Sequence, residues 1–570
     1  MRPFFVARAL SLPFFLCLSA ASAQSLPPAD HVPPLWPYRL DSIVSSSPRA
    51  MVVSDDSLAT GVGLDILRQG GNAIDAAVAT AFALAVVLPG AGNIGGGGFL
   101  VTRLADGTCA ALDFRETAPR RASRDMYLDA EGRLTTNSVT GSLSAGVPGS
   151  VAGLWEAHRS YGELPWQRLI EPAITLAEQG FIVDNRFSTS VREDSTRLTR
   201  FPASRSLYFP EGVALKPGSL WRNPELAATL RRIASDGPTD FYTGRTAELI
   251  VEEMRREHGI ISHEDLSGYV ARWRTPLRFT YRGDTVITMP LPSSGGITLA
   301  LIANIASGFD LHALGWHSTA AVHLVAEAMR RAFADRNGVL GDPDFVHVPV
   351  DTLLSAGYAA ERRATISLTH ATPSADVHPI REGNHTTHFS IVDDRGNAVA
   401  LTTTLNLFYG SAVTVTGAGF LLNDEMDDFA VKPGSPNVYG LVQGEADAIA
   451  PGKRVLSSMT PTIVLNGHGQ PILVTGASGG PRIISAVFQV MSNIVDFDFP
   501  AAAAVNAPRF HQQHLPDKLY IEEQGFTSGE ADSLRAQGYT IEFIPRVGVA
   551  ASIVRQDSLW WGAADPRAGR

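Results

Sequence analysis

The periodicity of the sequence changes at residue 386, and this change restricts the fold more than any other feature. Residues 151–360 mainly show the apolar spacing of amphipathic helices, with helices predicted at 164–179, 224–235, 247–258 and 319–337. From Thr386 onward the pattern is one of short alternating strands separated by glycine, including 463–465, 472–474, 540–544 and 551–554. Large layered enzymes of helices and sheets often form one unit, so the length of 570 residues does not by itself divide the chain.

The segment 72–101 predicts a buried helix followed by a strand. Asn72 can cap a helix over residues 73–88 that is small and apolar on nearly every face, which indicates burial against a sheet. Residues 92–101 then pass from a glycine-rich loop into a strand. A dinucleotide-binding fingerprint needs the strand first and the helix afterwards, so these glycines predict close backbone packing, and no cofactor is expected.

The N-terminus has the composition of a secretory signal. Arg2 and Arg8 supply positive charge, residues 9–20 are mostly apolar, and Ala21-Ser22-Ala23 provides a small-residue cleavage site. The apolar run is shorter than the ~20 residues that a membrane span needs. We therefore expect a signal peptide over residues 1–23 and a periplasmic or secreted protein without a stable membrane anchor.

Charge argues against nucleic acid as a partner. Apolar residues make up 45% of the chain and charged residues 18%, which is typical of a soluble globular protein. The formal net charge of −10 becomes −12 when Arg2 and Arg8 are removed with the signal. No cluster of lysine and arginine offers a stripe for phosphates.

A threonine pair at the start of the strand-rich part is a candidate nucleophile. A threonine hydroxyl attacks poorly without a base, and the α-amine of Thr386 can serve only if the His385–Thr386 bond is first cut. An α-amine titrates near pH ~7.7 to 8.0, so a useful fraction is neutral at physiological pH. Residues 366–383, polar with two prolines, are predicted to be an exposed linker before the cut. The alternative is that Thr386 simply begins an ordinary strand.

A hairpin is predicted directly after this threonine. Residues 388–392 and 398–405 alternate, and residues 394–397 supply the turn. Pairing centred on Arg395 would place Thr404 directly opposite Thr386, where a second hydroxyl could orient the nucleophile. A register slip of one residue would turn Thr404 away and leave it as an ordinary strand former.

Three downstream motifs carry further polar groups. Residues 423–429 include four carboxylates, which could bind a cationic amine, a metal or nothing, but they lack the regular ligand spacing of a calcium loop. Ser457 and Ser458 offer hydroxyls, and the glycines at 479–480 offer backbone amides suited to an oxyanion hole.

The histidines beside the threonine pair offer an alternative interpretation. His385 and His388 could bind a metal, although no third ligand is evident.

Together with six other segments, these motifs make the chain similar to the bacterial γ-glutamyltranspeptidases over essentially the whole mature sequence. The other segments are 71–76, 92–98, 113–116, 146–150, 292–296 and 341–345. The resemblance implies an α+β fold, a four-layer αββα sandwich of the N-terminal nucleophile hydrolase class. It also implies self-cleavage before Thr386 into a large subunit of residues 24–385 and a small subunit of residues 386–570, which stay together around one core.

The resemblance also implies a role for each site residue. Thr386 is the nucleophile, its freed amine is the base, and Thr404 supports the hydroxyl. Gly479 and Gly480 would supply the amides of the oxyanion hole, and Tyr439 would belong to a lid. The α-carboxylate of the substrate would be bound by Arg115, Ser457 and Ser458. Its α-ammonium group would be bound by Asn406, Glu425 and Asp428. Glu425 stands where some bacterial relatives carry glutamine, and no metal site is implied.

The implied activity is transfer of a γ-glutamyl group. Glutathione or another γ-glutamyl compound forms an ester on Thr386, and water, an amino acid or a peptide then accepts the γ-glutamyl group. One alternative is a related acylase for glutaryl side chains, which lack the α-ammonium group that Asn406, Glu425 and Asp428 are expected to receive. The other is a non-catalytic amino-acid-binding protein that stays a single chain.

Overall fold

The computed structural model describes residues 32–42, 44–377, 386–433 and 444–569. The predicted signal peptide, His385 and the lid residue Tyr439 lie outside the described residues. The helices are α1 (Ser57–Arg68), α2 (Ala73–Val87), α3 (Ser150–Tyr161), α4 (Trp166–Gln179), α5 (Asn185–Glu193), α6 (Ser195–Leu198), α7 (Pro202–Tyr208), α8 (Pro224–Asp236), α9 (Pro238–Thr243), α10 (Arg245–Arg256), α11 (His263–Ser267), α12 (Ser294–Ala306), α13 (Leu311–Leu314), α14 (Thr319–Val339), α15 (Val350–Leu353), α16 (Ala356–Ala364), α17 (Pro481–Val495), α18 (Ala501–Asn506) and α19 (Ser528–Ala536).

The strands belong to two large sheets and two small ones. They are β1 (Ser45–Ser47), β2 (Met51–Val53), β3 (Gly97–Arg103), β4 (Cys109–Phe114), β5 (Phe181–Ile182), β6 (Leu220–Trp221), β7 (Arg272–Arg274), β8 (Leu277–Tyr281), β9 (Asp284–Thr288), β10 (Thr387–Val392), β11 (Ala398–Thr404), β12 (Thr462–Leu465), β13 (Pro471–Thr475), β14 (Ala477–Ser478), β15 (Phe510–His511), β16 (Leu519–Glu522), β17 (Ile541–Ile544), β18 (Val549–Gln556) and β19 (Leu559–Ala564). The four helices and four downstream strands predicted from periodicity are all present, with ends within two residues.

The two large sheets pack face to face between two layers of helices. The first sheet has the order β2-β10-β11-β3-β4-β7, and the second has the order β1-β19-β18-β13-β12-β9-β8, with β14 paired to β18. Helices α2 and α3 pack on the outer face of the first sheet, and α12 and α17 pack on the second. One apolar core lies under α2, and another fills the space between the sheets and under α12, α14 and α17. This arrangement confirms the predicted αββα sandwich.

Helix α2 is the central support of the first sheet. Asn72 caps it, accepting hydrogen bonds from the Ile74 and Asp75 amides, and Asp75 bonds back to the Asn72 amide. All fifteen residues of α2 are buried. Such a helix has no polar face to give to solvent, so it must be enclosed on all sides, as its sequence predicts.

The glycine run before and within β3 allows three backbone segments to approach closely. A Cβ added at Gly95 would lie 2.1 Å from the Leu421 carbonyl oxygen, and one at Gly96 would lie 2.1 Å from the Thr404 carbonyl oxygen. A Cβ at Gly98 would lie 2.4 Å from the Thr402 carbonyl oxygen. The prediction of close backbone packing is confirmed.

The hairpin of β10 and β11 has the predicted register. Thr387 pairs with Thr403 and His388 pairs with Thr402. Side chains of a strand alternate between faces, and Ser390 of β10 donates to the Ala551 carbonyl of the second sheet at 2.9 Å. The even-numbered residues of β10 therefore point between the two sheets, and Thr386, one residue before β10, belongs to the same series.

The predicted exposed linker over residues 366–383 is mostly exposed in the part that the structure describes, but three buried residues, Ile366, Ser374 and Val377, anchor it to the fold. Ser374 is buried, its amide donates to Asp517 Oδ2 at 2.7 Å, and its hydroxyl donates to the His514 carbonyl at 2.5 Å. The polar composition of the segment predicted exposure to solvent, but the amide and hydroxyl of Ser374 are hydrogen-bonded to residues more than a hundred positions away. Residues 378–383 lie outside the described residues.

Within the described ranges, no helix has both the length and the apolar character to cross a membrane.

Candidate active site

One small cavity gathers most of the predicted site residues. Its lining residues are Arg115, Thr386, Thr404, Asp428, Ser457, Ser458, Met459, Gly480 and Ile483. The three other predicted site residues that the structure describes, Asn406, Glu425 and Gly479, each directly contact or adjoin one of these. Residues from widely separated parts of the chain therefore meet at the half-buried Thr386.

Thr404 is held by the backbone around it. Its Oγ1 accepts a hydrogen bond from the Asn406 amide at 2.8 Å, so its hydrogen is directed to a different acceptor. Asn93 donates to the Thr404 carbonyl at 2.8 Å and to Thr403 Oγ1 at 3.1 Å, and it accepts from the Gly96 amide at 2.9 Å. Asn93, which the sequence patterns did not single out, therefore ties the glycine run to the end of β11.

Gly479 and Gly480 lie immediately before α17 with backbone angles that suit glycine. Their φ values are +125° and +58°, a region that residues with a Cβ rarely adopt. Gly480 caps the N-terminus of this fifteen-residue helix, where the helix dipole favours negative charge. The local geometry is compatible with oxyanion stabilisation, and the role of these amides stays a prediction.

Arg115 is fully buried and surrounded by carboxylates. Its Nη1 lies 2.7 Å from Glu425 Oε2 and 3.2 Å from Glu116 Oε2, and its Nη2 lies 2.6 Å from Asp428 Oδ2. The backbone carbonyls of Val455 and Leu456 also accept from this guanidinium at 3.3 Å. The predicted carboxylate-binding residue and two of the predicted ammonium-binding residues thus contact each other directly.

Burial changes the protonation of this cluster. It raises the pKa of Glu116 to about 7 and raises the pKa values of Glu425 and Asp428, while the Arg115 charge opposes each of these increases. Burial acts to lower the pKa of Arg115, but the neighbouring carboxylates outweigh it and raise that pKa. At neutral pH the three acids therefore carry less negative charge than three solvated carboxylates would.

Asn406 offers an acceptor near the same cluster. Its Nδ2 donates to the Asp424 carbonyl at 3.1 Å, and its buried Oδ1 accepts no hydrogen bond from any residue that the structure describes. An unsatisfied buried acceptor is costly unless a ligand or solvent donates to it. This environment suits the predicted contact with an ammonium group.

The serine loop is supported by the motif at residues 292–296. The Ser294 amide donates to the Ser457 carbonyl at 2.7 Å, and the Ser293 hydroxyl donates to the Met459 carbonyl at 2.5 Å. At Gly295 an added Cβ would lie 2.7 Å from the same Met459 carbonyl, so a larger residue would push this loop away. The motif therefore fixes the loop that carries Ser457 and Ser458.

His388 has an environment unlike that of a metal ligand. Its ring nitrogens contact Thr402 Oγ1 at 2.8 Å and Ser390 Oγ at 3.1 Å, and burial lowers its pKa to about 3. Its suggested partner His385 lies outside the described residues. In the described part of the chain, no group of three or more His, Cys, Asp or Glu side chains is placed to hold a metal ion.

Pattern reasoning also missed Arg336 and Asp447, which lie behind the serine loop. Arg336 donates to Ser458 Oγ at 3.2 Å, and Asp447 is buried nearby, close enough for its charge to act on Arg336. Arg336 falls at the end of a predicted amphipathic helix. The only signal in the sequence was the charge of Arg336 itself, and the structure shows that this part of the helix is buried.

Two facing sheets between helical layers, with a threonine directly before a central strand and beside a glycine turn, define an N-terminal nucleophile hydrolase. The particular family follows from comparison with known proteins. A family profile described as Gamma-glutamyltranspeptidase matches residues 59–570, and the chain belongs to the γ-glutamyltranspeptidase family.

Individual relatives agree with this assignment. The chain is 45% identical to a glutathione hydrolase proenzyme of Escherichia coli strain K12, over 97% of this chain and 95% of the relative. It is 48% identical to a glutathione hydrolase proenzyme of Pseudomonas aeruginosa, over 86% of this chain and 88% of the relative. Among solved structures, a cephalosporin acylase from Bacillus halodurans superposes with a TM-score of 0.82 at 28% identity, covering 94% of this chain and 97% of that one.

Proposed function

We propose that this protein is a γ-glutamyltransferase and glutathione hydrolase that cleaves its own chain before Thr386. The observation that carries the proposal is the single cavity in which Thr386 lies with Arg115, Asp428 and Ser458. A nucleophile and a set of groups suited to a charged α-amino acid end are thereby placed within one small volume. The names of the glutathione hydrolase proenzymes, at 45% and 48% identity, support both the substrate and the processing.

The reaction proceeds through an ester on Thr386. After self-cleavage, the α-amine of Thr386 takes the proton of its own hydroxyl as Oγ1 attacks the γ-carbonyl carbon of the substrate. The amides of Gly479 and Gly480 stabilise the negative oxygen of the tetrahedral intermediate. That intermediate collapses, the leaving amine receives the proton, and water or the amine of an amino acid or peptide then attacks the ester.

The charge cluster explains selectivity for a free α-amino acid end. Arg115 is paired with Glu425 and Asp428. An α-amino acid end carries both charges. Its carboxylate can replace Glu425 and Asp428 as the partner of the Arg115 guanidinium, while its ammonium group pairs with these two acids. Such an exchange leaves no buried charge unpaired, whereas a glutaryl group would leave the acids without a cation.

The pairing of strands explains how two subunits would stay together. Strands β10 and β11, from the segment after the cut, pair with β2 and β3 from the segment before it. Scission of one bond before Thr386 leaves these hydrogen bonds and the shared cores intact. We propose subunits of residues 24–385 and 386–570, export directed by residues 1–23, and closure of the site by a lid that includes Tyr439.

A comparison of three anilides tests the proposed substrate. The γ-glutamyl anilide has both α-groups, the glutaryl anilide lacks the ammonium group, and the 4-aminobutyryl anilide lacks the carboxylate. We expect kcat/KM for the γ-glutamyl anilide to exceed each of the others by about 100-fold, because each missing group leaves buried partners unpaired. Equal rates with the glutaryl anilide would instead support the acylase alternative. A single uncleaved chain that binds glutamate without turnover would support the binding-protein alternative.

A further inference from the structure

Arg336 lies directly behind one of the hydroxyls that line the cavity. It sits near the end of α14, it is fully buried, and its Nη2 lies 3.2 Å from Ser458 Oγ. Its Nη1 donates to the Asn337 side-chain oxygen at 2.9 Å. Ser458 shares the cavity with Arg115 and Thr386, so Arg336 is one side chain removed from the substrate position.

The contact between Arg336 and Ser458 has a fixed direction. A guanidinium has only donors, so Ser458 Oγ must be the acceptor. A serine hydroxyl has a single hydrogen, which must therefore point away from Arg336. A substrate carboxylate accepts hydrogen bonds and cannot donate them, so this arrangement presents Ser458 in the orientation that a carboxylate requires.

Arg336 also adds positive charge where acids predominate. Three carboxylates contact Arg115, from Glu116, Glu425 and Asp428. Burial lowers the pKa of Arg336 to about 9, although the charges of Asp447 and Asp428 act in the opposite direction. A second guanidinium on this side of the cavity offsets the repulsion that these acids would exert on an entering carboxylate.

We propose that Arg336 is a positioning residue that selects substrates with a free α-carboxylate, acting through the Ser458 hydroxyl. This inference rests on the function proposed above and adds a second arginine to carboxylate recognition. A residue with this role changes the affinity for one part of the substrate and leaves the chemistry at Thr386 unaltered. A merely structural arginine would affect all substrates alike.

The first test replaces Arg336 in the mature, full-length enzyme. For Arg336→Gln we expect the KM of the γ-glutamyl anilide to rise by about 10-fold with kcat within about 2-fold, because the charged donor that orients the Ser458 hydroxyl is lost. The kcat/KM of the 4-aminobutyryl anilide, measured at high enzyme concentration, should stay within about 2-fold. Equal losses with both anilides would overturn the proposal.

A matched control separates this effect from the loss of any buried arginine. Arg331 lies on the same helix, is fully buried, and its Nη1 lies 2.6 Å from Glu327 Oε2. Arg331→Gln should lower thermal stability while leaving the ratio of the two anilide kcat/KM values as in the wild type. A ratio that changes equally in both variants would contradict the role of Arg336.

Two further variants keep the proposal testable if Arg336→Gln does not mature. Arg336 uses two nitrogens of a rigid planar group to contact Asn337 and Ser458, a geometry that the single nitrogen of lysine does not reproduce. Arg336→Lys should therefore raise the KM of the γ-glutamyl anilide by about 3-fold and leave the kinetics of the 4-aminobutyryl anilide unchanged. In a Ser458→Ala background, substitution of Arg336 should raise KM by less than it does in the wild-type background. Additive effects in this double-mutant cycle would show that Arg336 does not act through Ser458.

The wild-type measurement distinguishes failure of the proposed function from failure of the role assigned to Arg336. If the wild type does not prefer the γ-glutamyl over the 4-aminobutyryl anilide, then carboxylate recognition, and with it the proposed function, fails. If the wild type has that preference and the Arg336 variants retain it in full, only the assignment of Arg336 fails.

Discussion

Arg115 and Asp428 form a buried ion pair, with Nη2 2.6 Å from Oδ2, although 313 positions separate them in the sequence. The pair joins the segment before Thr386 to the segment after it. Because Arg115 belongs to the end of the β4 region and Asp428 follows the β10–β11 hairpin, the pair forms only when the first sheet is assembled. The charged part of the candidate site therefore depends on both sides of the proposed cleavage point.

Replacing Arg115 by lysine should weaken substrate binding without preventing maturation. A lysine ammonium cannot reproduce the planar fork that Arg115 presents, so the KM of the γ-glutamyl anilide should rise by about 10- to 100-fold, or about 1.5 to 3 kcal/mol. Steady-state kinetics and gel analysis of the purified Arg115→Lys protein check both statements. Arg331→Lys is the control for a buried arginine elsewhere, and an unchanged KM in Arg115→Lys would contradict the assigned role.

Replacing Thr386 by alanine should abolish both self-cleavage and turnover, since the hydroxyl that attacks in each reaction is removed. Intact-mass analysis, with N-terminal sequencing of any smaller chain, is the measurement. The wild type should give a fragment that begins at Thr386, and Thr386→Ala should stay uncleaved and inactive. Thr387→Ser is a suitable control, because Thr387 Oγ1 bonds Asp55 Oδ2 at 2.8 Å on the opposite face of the strand and serine keeps that hydroxyl. An active, uncleaved Thr386→Ala protein would refute the mechanism.

Replacing Gly479 by alanine should lower kcat far more than it raises KM. The added Cβ would lie 2.8 Å from Gly548 Cα, and the φ of +125° is strained for alanine, so the amides before α17 must move. Displacing an oxyanion donor costs about 10²- to 10³-fold in kcat. Gly357→Ala, in α16 with no atom within 4 Å of the added Cβ, should leave kinetics unchanged. Comparable kcat values for the two variants would argue against an oxyanion role.

His388 should make the protein sensitive to acid. Burial lowers its pKa to about 3 in the folded protein, whereas an unfolded histidine titrates near ~6.5. The folded state then binds fewer protons than the unfolded state below pH ~6.5, so the stability from neutral His388 is complete above that pH and is lost as the pH falls toward ~3.

The corresponding variant makes this prediction measurable. Between pH 7 and pH 4.5, His388→Gln should lose about 2 to 3 kcal/mol less unfolding free energy than the wild type, as followed by chemical denaturation. His468→Gln, at an exposed turn position, serves as the control and should retain the wild-type pH dependence. Equal pH dependence in His388→Gln and wild type would contradict the prediction.

Local features were predictable because they depend on neighbouring residues. The cap at Asn72, the extent of α2 and the hairpin register around Arg395 all follow from spacing, turn chemistry and side-chain alternation within short segments. The register in turn gave the face on which Thr404 lies. The αββα arrangement itself came from resemblance to a known family, since periodicity distinguishes helices from strands without ordering them in layers.

The tertiary structure decided which distant groups meet. The family resemblance implied that Arg115 and the acids at 425 and 428 bind opposite ends of a substrate, but only packing shows that they also pair with each other. The contact of Arg336 with Ser458 and the burial of Ser374 were likewise invisible in the sequence. Periodicity and turn chemistry act over a few residues, whereas these contacts and the pKa values they set arise from desolvation and from charges brought together across the whole fold.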